Sequence, residues 1–335
     1  MNAQRKSSRY LAILGFGLAL TLQFGSRANA QNVINCAAPV TSAPTGPAVV
    51  SVASTPFGRV LVEGSAGYAG CSLYILSSDQ LHSLTTGAAP FACSDNQNVL
   101  GAPCDAILWP ALLSDGAPIA GPGVNPSLLG TVTRNDVLPG QSVQQVTYAG
   151  LPLYRFFLDE TPGETEGVNL FDPVTSPTGI WELVEPSRGR PAPGQARLVL
   201  ETAPVNGIGA DQTVLAVVMN NDLSIFQNAS FPVYIQSGDV GHPWRDGTNC
   251  LGVCAAVPWP PVLTSGPPQA GPGVDQHALG TIVRPDGTHQ VTYNGKPVYL
   301  FYGDAYIGGI VGTQGIYGQG KVTPWGVFNT VPPSP

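Results

Sequence analysis

Four aspartates in this 335-residue chain each stand five positions after a tyrosine, and these pairs are the side chains best suited to chemistry. Tyr154/Phe156/Asp159 and Tyr299/Phe301/Asp304 follow the pattern tyrosine, any residue, aromatic, two residues, aspartate. Tyr74/Asp79 and Tyr234/Asp239 follow a looser form in which Leu76 and Gln236 replace the aromatic. Residues two apart share one face of a strand, so Tyr154 and Phe156 are expected to project together, with Asp159 just past the strand end. Two readings follow. In one, the aromatics fill a core and the aspartate accepts backbone hydrogen bonds in an Asx-turn. In the other, the carboxylates converge on a cation such as calcium or form a polar ligand rim beside aromatic walls, which makes Tyr154, Phe156, Asp159, Tyr299, Phe301 and Asp304 the candidate ligand-binding residues.

A second pattern uses scarcer residues. Asp79 precedes His82 by three positions and Asp239 precedes His242 by three, and these are two of only four histidines. Each pair could give two ligands to a divalent transition metal, with tyrosine or solvent completing the shell. Two ligands alone do not make a site. Beside Asp159 stand Glu160, Glu164 and Glu166, and paired carboxylates can do glycosidase acid/base work, but the later copy of this stretch has no equivalent acids. The sequence holds no G-x-S-x-G elbow, no H-E-x-x-H helix and no phosphate-cradling glycine loop. No catalytic residue is therefore assigned, and no cofactor is expected outside the divalent-metal reading.

The elements that must position these residues are written twice. GPGVNPSLLGTVTR at 121–134 returns as GPGVDQHALGTIVR at 271–284, and QVTYAGLPLYRFFLD at 145–159 returns as QVTYNGKPVYLFYGD at 290–304. Duplication on this scale implies one architecture built twice. With 41 glycines and 33 prolines and no sustained 3.6-residue apolar period, the chain reads as short strands and turns. Strands are expected at 48–53, 59–63, 72–76, 129–133, 145–148, 153–158, 180–184, 197–201, 213–219, 232–236, 279–283, 290–293, 298–302 and 325–329. Asn294-Gly295 is a type I′ hairpin signal, and Ala149-Gly150 keeps only its glycine, so a looser loop is expected there. The expected fold class is mainly β: two tandem homologous units of short antiparallel strands and hairpins, stapled by disulfides. The first unit is placed at 48–187, the linker at 188–194 and the second unit at 195–335.

Residues 1–30 carry the basic, apolar and small-residue regions of a secretory signal, followed by an extended segment at 31–47. Loss of Arg5, Lys6, Arg9 and Arg27 from the fourteen basic residues leaves ten against 21 acidic ones, a net charge near −11. Such a charge repels phosphate backbones, which argues against nucleic-acid binding. All six cysteines lie in the exported part, where an oxidising compartment favours disulfides. Cys104 and Cys254 each stand five residues before a Trp-Pro, with Cys93 and Cys250 just upstream. The economical pairing is Cys93 with Cys104, Cys250 with Cys254 and Cys36 with Cys71. A zinc or redox role for the Cys250-x-x-x-Cys254 pair is the weaker alternative.

The tyrosine-aromatic-aspartate pattern, together with Trp-Pro, Gly-Pro-Gly-Val and the repeated Gln-Val-Thr-Tyr block, resembles a family of bacterial secreted repeat proteins. Its members are described as predicted lipoproteins with a YxFxxD motif and no recorded function. The resemblance implies a secreted, mostly β repeat unit. This chain has no lipidation cysteine after its apolar run, because Cys36 follows Asn35 well beyond the expected cut. The expected function is non-catalytic binding or scaffolding, secreted or in the periplasm, toward a ligand or cell-envelope protein, without a membrane span. A metal-binding or redox-accessory role is the alternative.

Overall fold

A computed structural model describes residues 34–79, 91–94, 102–172, 179–220, 229–239, 247–256, 258–304 and 315–333. The signal assigned to 1–30, along with His82 and His242, lies outside the described residues. The described chain is mainly β, in six small sheets of three or four strands. Among the described residues no helix is long and apolar enough to cross a membrane.

In the first half, the hairpin Val49–Thr55/Gly58–Glu63 takes Ile119–Ala120 as a parallel third strand. A second hairpin, Leu129–Arg134/Val143–Tyr148, carries Leu113–Ser114 and Leu151–Pro152 on the Val143–Tyr148 strand. The strand Gly179–Glu185 receives Tyr74–Leu76 and Leu170–Asp172. In the second half, Arg197–Pro204/Asp211–Asn220 takes Gln269–Ala270 as a parallel neighbour, Leu279–Val283 pairs with His289–Tyr293, and Tyr234–Gln236 pairs with Gly326–Thr330. One hydrophobic cluster runs across both halves, with Phe171 meeting Phe231 edge-on at 5.6 Å between ring centroids.

Three disulfides join Cys36 to Cys71, Cys93 to Cys104 and Cys250 to Cys254. The first pins the N-terminal segment, where the Cys36 amide also donates to Glu160 O at 3.1 Å. The five-residue spacing from cysteine to Trp-Pro is itself a hydrogen bond. Trp109 N donates to Cys104 O at 2.7 Å, and Trp259 N donates to Cys254 O at 3.0 Å.

Two expectations are corrected. The segments expected as strands at 153–158 and 298–302 are not strands; Tyr154 and Tyr299 make only isolated bridges, each to two neighbours. The cause is the adjacent Trp-Pro segment. Pro110 and Pro260 supply carbonyls to Arg155 N at 2.9 Å and Leu300 N at 2.8 Å, but a proline nitrogen cannot donate back to continue a ladder. The loop at Ala149-Gly150 is as tight as its counterpart: Ala149 has φ 51° and Gly150 φ 84°, against 48° and 74° for Asn294 and Gly295. Each turn joins directly facing residues, Tyr148 with Leu151 and Tyr293 with Lys296. The Ala149 amide donates to Leu128 O at 2.8 Å, which helps to offset the cost of a left-handed alanine.

Candidate functional site

Tyr74 and Tyr154 lie back to back across an antiparallel bridge, with Tyr74 N to Tyr154 O at 2.8 Å and the reverse bond at 3.0 Å. This places each hydroxyl near the aspartate of the other segment. Tyr74 Oη donates to Asp159 Oδ2 at 2.7 Å, and the Glu166 amide donates to Asp159 Oδ1 at 2.8 Å. Tyr154 stands beside Asp79, whose Oδ1 accepts from the Ala92 amide at 2.6 Å. The second half repeats the crossing. Tyr234 pairs with Tyr299, Tyr234 Oη donates to Asp304 Oδ2 at 2.8 Å, and Tyr299 Oη donates to Asp239 Oδ2 at 2.7 Å. Tyr317 N closes on Asp304 Oδ1 at 2.9 Å and Asn249 N on Asp239 Oδ1 at 2.7 Å. Asp159 and Asp304 thus bind amides seven and thirteen residues ahead, far beyond the reach of an Asx-turn.

Stacked rings enclose each crossing. Trp109 lies flat on Trp181 at 3.7 Å with an 11° interplanar angle, and Trp259 on Phe328 at 3.7 Å and 3°. Phe156 and Phe301 flank these stacks, 4.2 Å from Trp109 and 4.5 Å from Trp259. Close approach dictates the glycine after each crossing: a Cβ on Gly167 would come within 2.7 Å of Trp109, and one on Gly318 within 2.7 Å of Tyr234. The amides of these glycines donate to Tyr74 Oη and Tyr234 Oη at 3.4 and 3.1 Å.

Tyr154, Phe156, Asp159, Tyr299, Phe301 and Asp304 therefore lie in the core rather than at an exposed rim, none more than 7% accessible. Burial pushes the carboxyls of Asp79, Asp159 and Asp304 up to about 7, against the lowering effect of the amide and hydroxyl donors around them. Burial, then the neighbouring carboxyls, raises the tyrosine hydroxyls well above their usual range. Asp159, Asp239 and Asp304 each spend both carboxyl oxygens on donors inside the protein, whereas Asp79 Oδ2 is buried without a hydrogen bond; a general acid or base must instead reach a substrate proton. Asp79 and Asp239, proposed as metal ligands with His82 and His242, use their Oδ1 atoms to hold the loops ahead of them. Among the described residues no group of three or more His, Cys, Asp or Glu is placed to hold a metal. Glu164 spends a carboxylate oxygen on its own turn, accepting from Glu160 N at 2.5 Å and Thr161 N at 2.9 Å.

Arg134, Gln145, Arg284 and Gln290 lie within the repeated blocks, and their types and spacing alone indicate no role. Arg134 Nη1 donates to Gln145 Oε1 at 2.6 Å and Arg284 Nη1 to Gln290 Oε1 at 2.6 Å. The other Nη of each arginine reaches the carbonyl of a disulfide cysteine, Cys93 O at 3.0 Å and Cys250 O at 3.2 Å. Each glutamine then donates to the carbonyl of the residue immediately before Tyr154 or Tyr299, Leu153 O and Val298 O, both at 2.9 Å. In the first half Arg134 also pairs with buried Asp105 at 2.5 Å and with Asp136 at 2.7 Å. The signal that could have found them was identity in both copies, since an arginine and a glutamine kept at matching positions amid strand residues point to a shared buried bond.

A profile of a family described as a secreted repeat of unknown function matches residues 280–315, a stretch that contains Tyr299, Phe301 and Asp304. No curated protein and no solved structure matches the chain.

Proposed function

We propose that this chain is a secreted or periplasmic, non-catalytic binding or scaffolding protein. It is built of two homologous units, 48–187 and 195–335, joined by the linker 188–194, with 31–47 leading in and 1–30 removed on export. The observation that carries this reading is the crossed tyrosine–aspartate arrangement at Tyr74/Tyr154 and again at Tyr234/Tyr299, which buries the motif's carboxyls and spends both oxygens of Asp159, Asp239 and Asp304 inside the protein. A motif spent in this way is a folding device. It closes two separate segments on each other and encloses an aromatic stack, leaving surfaces free to vary with the partner. The recurrence of the cysteine–arginine–glutamine chain in both halves supports the two-unit reading. The partial match to a secreted repeat supports the extracytoplasmic placement.

The test pairs an assay of purified mature protein on hydrolase substrates with a thermal-shift screen of anionic, neutral-sugar and peptide ligands. We expect a saturable ligand-induced rise in melting temperature and no turnover that depends on Asp159 or Asp304. Turnover abolished by Asp159→Asn in a protein that melts like the wild type would overturn the proposal.

A further inference from the structure

We infer that the groove along the seam between the two halves binds a small hydroxylated anion, through its carboxylate or phosphate group. The inference rests on the binding reading above and gives that reading a site and a ligand class. Two clefts of about 340 and 330 Å³ lie side by side here and share Glu185, Ser187, Pro191 and Ser265 as walls. Each is already within the range of small-molecule sites, which favour the junctions between packed units.

The charge of the groove is opposite to that of the molecule. The chain carries a formal charge of −7. Yet Arg59 lines the first cleft and Arg188 and Arg190 line the second, with His289 beside them. Arg134, Arg155 and Arg284 are buried. Of the remaining described Lys and Arg residues, Arg59, Arg188, Arg190, Arg197, Lys296 and Lys321, half converge on this one groove. Among the described residues none of the three forms a salt bridge within 4 Å.

Two of the three are seated on glycines. Arg190 lies over Gly287, where a Cβ would push its guanidinium away, and spends one N–H on Gly287 O at 3.0 Å. Arg59 lies against Gly123 of the Gly-Pro-Gly-Val loop, with Nη2 2.6 Å from where a Cβ would stand. The matching Gly273 meets Leu200 instead, so the charged seat belongs to one copy of the loop. A guanidinium has five donors in a planar fork that matches a carboxylate or phosphate, and among the described residues Arg190 spends one of its five on Gly287 O.

Two acids lie nearby. Glu185 keeps its carboxylate in the charged form by accepting from Ser187 N at 2.9 Å and Arg188 N at 3.1 Å. Asp286, on the adjacent turn, accepts from Thr288 N and Oγ1 at 2.8 and 2.7 Å. Three guanidinium groups still outnumber the single carboxylate in the lining. The overall negative charge repels an extended polyanion at long range, so the ligand that fits is small enough to sit within the local positive field. The hydroxyls of Ser187, Ser265 and Thr288 and the ring of Phe57 favour a hydroxylated molecule with an apolar face.

The experiment is calorimetric titration of the full mature protein at low salt with inorganic phosphate, D-glucuronate and neutral D-glucose, with ¹H–¹⁵N NMR to locate the shifts. We expect a saturable one-to-one response to glucuronate or phosphate, mapped to residues 57–59, 185–191 and 287–289, and the tighter of the two identifies the source of the anionic group. Arg59→Gln and Arg188→Gln, both exposed and outside the core, should each weaken binding about tenfold, as loss of a charge-assisted hydrogen bond does. Lys296→Gln, an equal change of charge at a hairpin tip, should leave binding unchanged. Equal weakening by all three variants would overturn the inference. Glucose binding that is insensitive to the arginines would overturn the anionic inference and leave the binding reading standing. Absence of any saturable response here and in the ligand screen would remove both.

Discussion

A Tyr74→Phe substitution removes one oxygen and leaves Asp159 Oδ2 without its hydroxyl donor in a site where the aspartate is 1% exposed. An orphaned buried acceptor costs on the order of 1–3 kcal/mol, so chemical denaturation of Tyr74→Phe should show a loss of that size. The partner variant Asp159→Asn disrupts the same hydrogen bond from the other end. In the double variant the losses should fall short of additive by roughly 1 kcal/mol, because both substitutions delete the same bond. Fully additive losses would mean that the hydroxyl and carboxyl do not act as a pair. At this scale the tyrosine–aspartate spacing was legible and its geometry was not. Four copies of the pattern were visible in the sequence, but each tyrosine meets the aspartate of another copy, 60 to 85 positions away. Only the bridge between the two backbones brings those positions together.

At the scale of elements, the hairpins were legible because turn residues and β-rich runs act locally. The strands near 129–134, 143–148, 279–283 and 289–293 needed no distant information. The segments after Leu153 and Val298 misled because their composition is that of a strand while their neighbour is a proline segment remote in sequence. The two-residue turns show the same competition in another form. Ala149 adopts φ 51° without the local hydrogen bonding that makes asparagine tolerant at position 294, so the register of its hairpin, with Tyr148 facing Leu151 and Thr147 facing Pro152, overrides residue preference. Ala149→Gly should therefore stabilise the protein, by less than about 1 kcal/mol once the greater freedom of unfolded glycine is counted. Asn294→Ala should destabilise it by about 1 kcal/mol. Thermal melts of the two variants check the signs. Destabilisation by Ala149→Gly would show that the Cβ of Ala149, packed toward Gly189, contributes more than its backbone strain costs.

For the whole molecule, the mainly β, disulfide-bonded character was legible from composition and cysteine placement. The packing of the halves was not, because Phe171 against Phe231 joins residues outside the repeated blocks. The contents of that junction set the pH response. Glu182 lies 5% exposed in a cavity of about 60 Å³ between the halves, and burial, reinforced by Asp286, pushes its carboxyl up to about 8. Asp159 and Asp304 are raised to about 7, also by burial. In the unfolded chain these three groups titrate near 4, so between roughly pH 4 and 7 the folded protein holds protons that the unfolded chain has released. Their contribution is fully present below pH 4 and is lost as pH rises through 7, and through 8 for Glu182. Each lowers stability by at most about 1.4 kcal/mol per unit rise in pH within its window. Asp136, lowered by Arg134, and Glu185, lowered by the amides of its turn, work in the opposite direction, but their losses come on acidification below pH 4. Melting temperature should therefore peak near pH 4–5 and decline steadily toward pH 8, with Glu182→Gln flattening the upper part of the decline. A melting temperature that rises from pH 5 to 7 in the wild type would show that these carboxyls are ionised in the fold, and the crossed pairs would then be held as ion–dipole contacts instead of neutral hydrogen bonds.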